Sequence, residues 1–348
     1  MRNQQILSKD HITIGDAELQ KQHRNMTKDL SFRYMSMILH IRVFFFLLFL
    51  LNISLVSCDE EDYYQDYSDI TNNLSPTTTL PDNEESGIIL KIERYMSQNW
   101  GSTNLQGGDC YGDFFFQFEN HNNRVFISNL KTKDFIGTVS MSSNSNNHCN
   151  NVSFSRIFYN VDDEFPLLYV SGSQSGTYNN IQVYRISRDD NVFSFIKVQE
   201  IVLPENGSIN KLYWTGAVMD NENNYMYIYA NSIGAQIAKF EIPDIKQEEV
   251  YLTGDDILEQ FSLPGFTHQQ GAVIKNGLMY VMDGVPQVGD TNYLRIIDLV
   301  NKVDFDKIDI SALGYGNIEF ESLSYYEGFF ITASNCNRGV FSINFLKR

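Results

Sequence analysis

Five times beyond residue 86 the chain repeats one device: a polar residue, a short apolar strand, a turn, and a second strand rich in aromatic residues. In the first copy Gln106-Gly107-Gly108-Asp109-Cys110-Tyr111 leads through Gly112-Asp113 into Phe114, Phe115, Phe116 and Phe118. His148 opens the second, with Val152, Ser153 and Phe154, then Leu167, Leu168, Tyr169 and Val170. Trp214 opens the third, where Gly216, Ala217, Val218 and Met219 precede a turn at 221–224 and then Tyr225, Met226, Tyr227 and Ile228. The fourth is nearly its twin: Gln270, Gly271, Ala272, Val273 and Ile274, then Asn276-Gly277, the dipeptide favoured in two-residue hairpins, and Leu278, Met279, Tyr280 and Val281. Glu321 opens the fifth, through Ser322, Leu323, Ser324 and Tyr325, turning at Glu327-Gly328 into Phe329, Phe330 and Ile331.

A third strand follows each copy, over 124–129, 181–186, 236–242, 294–299 and 339–344, and a fourth over 135–141, 193–202, 250–252 and 303–310. The apolar alternation has period two, and no long segment of helical period interrupts it, which makes the domain all-β. Four strands at a period of about 40 to 50 residues is the signature of a β-propeller. Counting predicts five blades, with six open if the long second or third unit hides another. The fifth unit lacks a fourth strand of its own, and an orphan strand at 88–95 is expected to supply it, closing the ring and removing two exposed edges.

Three stretches carry a resemblance: His268-Gln269-Gln270-Gly271-Ala272 and His148-Cys149-Asn150-Asn151, each before a strand, and Phe165-Pro166-Leu167-Leu168-Tyr169. Through them the region after residue 86 resembles a family of secreted bacterial lipoprotein β-propellers of unknown function. More distantly it resembles the five-bladed propellers of teichoic-acid biosynthesis and phage receptor-binding proteins. The resemblance implies a fold rather than a chemistry.

Ahead of the repeats the chain is organised for delivery. Residues 1–36 are polar, mixed in charge and without periodicity, and are read as an untranslated or disordered leader, since Met26, Met35 or Met37 would each start a signal peptide of ordinary length. Residues 37–57 read as a signal peptide, with Arg42 before an apolar run too short for the roughly 20 residues of a membrane span. It ends in Leu55-Val56-Ser57-Cys58, which resembles the cleavage box of bacterial lipoprotein signal peptides and implies lipidation of Cys58. An uncleaved signal anchor of the same orientation is the alternative. Residues 58–86, beginning with acidic Asp59, Glu60, Glu61 and Asp62 and then rich in Asn, Thr and Pro, form a flexible linker, and 87–348 form the propeller. The expected location is the outer membrane or cell surface, held by lipid.

A net charge of -17 removes the phosphate attraction on which nucleic-acid binding depends, so no nucleic-acid partner is expected. Besides Cys58 the chain has Cys110, Cys149 and Cys336 without CxxC or CxxH spacing, so neither a disulfide framework nor a structural zinc is expected. No nucleophile elbow, phosphate loop, dinucleotide fingerprint or metalloprotease helix occurs, and no cofactor is expected.

In a propeller the first strand of each blade lines the axis, which brings the residues that precede those strands to one face. The candidate ring is Gln106, His148, Trp214, His268, Gln270, Glu319 and Glu321. Trp214 would stack on a sugar, while the glutamines equally suit ties between blades. The two histidines with the two glutamates would suit a divalent cation, although they share no ligand spacing on one element. As glycosidase carboxylates, Glu319 and Glu321 fit poorly, lying on one strand and one face. The sequence thus points to a monomeric binding protein for a glycan or an envelope protein, with a carbohydrate-active enzyme or an envelope scaffold as alternatives.

Overall fold

The structure, a computed structural model, describes residues 88–97, 104–120, 124–141, 148–172, 180–203, 213–231, 235–335 and 339–347. The signal segment, Cys58, the linker and Cys336 lie outside them. All the described residues belong to one compact unit, Leu74–Arg348.

After β1 (Ile88–Met96), the chain builds five sheets in sequence order. The first holds β2 (Leu105–Tyr111), β3 (Phe114–Glu119), β4 (Arg124–Asn129) and β5 (Asp134–Ser140). The second holds β6 (Asn151–Phe154), β7 (Leu168–Gly172), β8 (Asn180–Asp189) and β9 (Val192–Val202). The third holds β10 (Tyr213–Asp220), β11 (Tyr225–Asn231) and β12 (Ala235–Glu241); beyond these come β13 (Glu249–Tyr251) and β14 (Glu259–Leu263), and β14 is the fourth strand of the sheet. The fourth holds β15 (Gln269–Lys275), β16 (Leu278–Asp283), β17 (Tyr293–Asp298) and β18 (Val303–Asp309). The fifth holds β19 (Ser324–Tyr326), β20 (Phe329–Ala333) and β21 (Val340–Lys347), completed by β1 in the order β1-β21-β20-β19. This is a five-bladed β-propeller closed by its N-terminal strand, as the repeat count predicts.

The closure is visible in the core. The buried apolar side chains form five clusters, each between two neighbouring sheets, and together they run once around the ring. Alternation explains how single strands serve two clusters: on β11, Met226 and Ile228 pack toward the second blade while Tyr227 and Tyr229 pack toward the fourth. On β3, Phe116 and Phe118 face the second blade and Phe115 the fifth. A blade buried on both faces therefore reads as a near-continuous apolar run, which is why Phe114, Phe115 and Phe116 stand side by side. Between the first two blades Phe116 meets Phe154, Phe165, Phe193 and Phe195 edge-on, at centroid separations of 5.4 to 6.0 Å.

One expectation needs correction. Residues 250–252 were expected as the fourth strand of the third blade, but β13 leaves that blade and pairs in parallel with β9 on the outer edge of the second. Gln199 holds the crossing chain there, its Nε2 donating to the carbonyls of Asp244 and Gln247 at 2.9 and 2.8 Å. Among the described residues the sheets number five, and the long second and third units add no sixth. The extra length goes into the loop of residues 155–167 before β7 and into the β13 excursion.

Candidate functional site

The inner strands β2, β6, β10, β15 and β19 enter the axis from one face, and their approach is close enough to need glycine. A Cβ on Gly271 would lie 2.4 Å from Ser322 Cα, and one on Gly107 would lie 2.5 Å from the Cys149 carbonyl oxygen. Below the mouth the axis is filled by polar ties between blades. Asn151 Nδ2 donates to the Ala217 carbonyl at 2.7 Å while its Oδ1 accepts from Ala272 N–H at 2.9 Å, so one side chain joins the second, third and fourth blades. Tyr229 OH donates to the Gln270 carbonyl at 2.7 Å, and Gln117 Nε2 donates to the Gln106 carbonyl. Deeper still, Asp109 accepts from the N–H groups of Cys110 and Phe154 at 2.8 and 2.7 Å.

Above this plug lies a polar hub. Glu319 and Glu321 precede β19, and Asn335 bridges their carboxyl groups. Asn335 Nδ2 donates to both, at 2.7 Å to Glu319 and 2.9 Å to Glu321. Gln270 and Gln287 donate to Glu319 at 3.1 and 2.9 Å, and Gln106 donates to Glu321 at 3.4 Å. Glu321 is 1% exposed and Glu319 9%, which makes Glu321 the inner and Glu319 the outer member. Burial, and then the charge of Glu319, push the Glu321 carboxyl well above the ordinary carboxylate range. Burial raises Glu319 as well. Two carboxyls in contact in a dry site share a proton, because both cannot ionise cheaply.

His268 forms the open rim, with its side chain 42% exposed and Nδ1 2.5 Å from Asp290 Oδ2. Its backbone N–H donates to Asp283, whose other carboxylate oxygen pairs with the buried Arg295 at 3.4 Å. The rim is thus fixed from below by an ion pair whose cation stacks on Phe266, 3.6 Å from its ring centroid.

Gln106, His268, Gln270, Glu319 and Glu321 therefore come to one place. His148 stands at the start of the second inner strand, where the carbonyl of the adjoining Cys149 accepts Gly107 N–H at 2.8 Å. Trp214 lies near the start of β10; its side chain is outside the described set. The order of the repeats does not flag Asp290, Gln287 and Asn335, which sit in connections, or Asn151, whose role is tertiary. The signal available in hindsight is a run of amides and carboxylates in loops that follow second strands. Cys110 and Cys149 form no disulfide among the described residues. Among the described residues no three His, Cys, Asp or Glu side chains converge in a metal-holding arrangement.

No protein-family model matches this chain, and no curated protein matches it. Among solved structures it is similar to the glutaminyl cyclase of Myxococcus xanthus, with 11% identity, 74% of this chain and 96% of that one covered, and a TM-score of 0.47. It is also similar to the aldose sugar dehydrogenase of Streptomyces coelicolor in its PQQ-bound form, with 11% identity, 74% and 98% covered, and a TM-score of 0.45. A luciferin-regenerating enzyme gives 10% identity, 73% and 95% covered, and a TM-score of 0.42. The assignment of the fold rests on the strand pairings and the ring of cores described above.

Proposed function

We propose that this protein is a surface-anchored ligand-binding propeller that takes a glycan at the hub mouth, with His268, Gln287 and Glu319 making first contact. The observation that carries this reading is the hub itself: four side chains from separate strands and connections converge on a buried carboxyl pair beside an open histidine. Convergent polar groups at the end of a rigid barrel-like axis are the usual form of a small-ligand site. Fixed amides and carboxylates match the hydroxyl groups of a sugar. Strongly perturbed carboxyls concentrate at functional sites, which adds weight to the same location.

Delivery to the surface follows from the lipobox-like stretch at Cys58 and the acidic linker after it. Two experiments test the proposal. Full-length protein screened on a glycan array should bind a restricted set of sugars, and His268→Ala and Glu319→Ala should lose them; retention by both variants would move the ligand elsewhere and overturn the assignment. Cys58→Ser should shift the protein from the membrane to the soluble fraction on cell fractionation, and no shift would remove the lipid anchor.

A further inference from the structure

The hub is short of donors. Every amide N–H₂ around the carboxyl pair is engaged: Gln106, Gln270, Gln287 and Asn335 all donate to Glu319 or Glu321. Two buried acceptors remain without a donor from any amide, hydroxyl or backbone group, Glu321 Oε2 and Gln106 Oε1, on residues 1% and 4% exposed. Gln106 reaches Glu321 through its Nε2, and its free oxygen lies on the same terminal amide. Buried acceptors of this kind cost on the order of 1 to 3 kcal/mol each until a donor meets them. A proton held between the two glutamates answers one of them and leaves the other.

Charge points the same way. Glu319 and Glu321 sit side by side, Asp290 is paired with His268, and Arg295 beneath is turned to Asp283 and Asp304. His268 at the rim is engaged with Asp290.

We infer that the hub binds a protonated primary amine carried by the ligand. Its three N–H donors meet Glu321 Oε2, Gln106 Oε1 and the Glu319 carboxyl, and it displaces the proton that the glutamates share. The balance is simple: the pair with one proton carries one negative charge, the bound pair carries two, the ammonium adds one positive charge, and one proton leaves to solvent. A compact ammonium fits three clustered acceptors, whereas the planar guanidinium presents five donors in a fixed fork. The inference rests on the hub being the glycan site, and so names an amino sugar as the ligand class.

Isothermal titration of the full-length protein with glucosamine tests it, repeated in buffers of different ionisation enthalpy to count protons. Expected are release of close to one proton at neutral pH and affinity that falls about tenfold per pH unit, roughly a hundredfold from pH 7 to pH 5. Glu321→Gln should bind at least tenfold more weakly, with no proton release. Should that variant misfold by circular dichroism, Gln106→Leu serves, with the same loss of affinity expected. N-acetylglucosamine, which has no cation, should fail to bind. Equal binding of both sugars overturns the amine inference and leaves the glycan reading standing. Binding of n-butylammonium as tight as that of glucosamine supports the amine site while removing the sugar from the reading. No heat with any amine, or an unchanged Glu321→Gln, overturns the inference outright.

Discussion

Asn335 donates through one amide nitrogen to both Glu319 and Glu321, at 2.7 and 2.9 Å, and so holds the two carboxyls side by side at the axis. The arrangement is stable only while a proton, or a cation in its place, sits with them.

The first expectation concerns pH. Because burial and then Glu319 raise Glu321, the folded protein holds that proton more tightly than the unfolded chain. The stability it contributes is complete below the ordinary carboxylate range and is lost as pH rises through the elevated folded-state value. Glu321→Gln keeps a permanent donor toward Glu319 and removes the titration. Thermal melts should show the variant gaining about 2 to 4 °C over the parent at pH 8, with no gain at pH 4. A gain that is the same at both pH values would remove the shared proton from the account.

Asp109 should give a second pH signature. Its carboxyl is pushed by burial to about 6, against bonds from Phe154 and Cys110 that lower it. Stability should therefore decline between about pH 4 and pH 6, by on the order of 3 kcal/mol in total. Denaturant titrations of Asp109→Asn across that window should show a flatter slope, whatever the variant's absolute stability.

Asn151 should be among the most sensitive side chains in the core. Asn151→Ala orphans the Ala217 carbonyl and Ala272 N–H in a dry axis, at a cost of about 2 to 4 kcal/mol for two buried groups. Chemical denaturation measures it; a loss under about 1 kcal/mol would mean that water replaces the amide.

Two glycines in the fourth blade should respond differently. Gly271→Ala places a methyl 2.4 Å from Ser322 Cα and 2.5 Å from its carbonyl carbon, where only backbone can yield, and should leave little folded protein. Gly277→Ala meets nothing within 4 Å but sits at φ +73°, and should cost only about 1 kcal/mol through its backbone conformation. Soluble yield and melting temperature of the pair separate close packing from turn strain.

The blades were legible because burial on both faces writes an apolar residue at almost every strand position, and because turns such as Asn276-Gly277 mark the hairpins. The convergence of Gln106, Gln270, Glu319 and Glu321 was legible for a geometric reason: position before an inner strand is itself a coordinate. The path of residues 249–251 was not, since the short apolar stretch around Val250 suits either blade, and the choice is made by Gln199, far away in sequence. Asp290, Gln287 and Asn335 were likewise hidden, because nothing periodic places a loop amide at the axis.

The ladder between β1 and β21, from Ile88 opposite Lys347 to Met96 opposite Val340, has a kinetic meaning. Its halves come from opposite ends of the described chain, so during synthesis the early strand waits while four blades accumulate, and the last one is sealed only after Lys347 has left the ribosome. Such a late, long-range pairing is slow to find. Until then both partners expose ready edges to any other nascent copy, and the seam is where exchange of strands between molecules would begin.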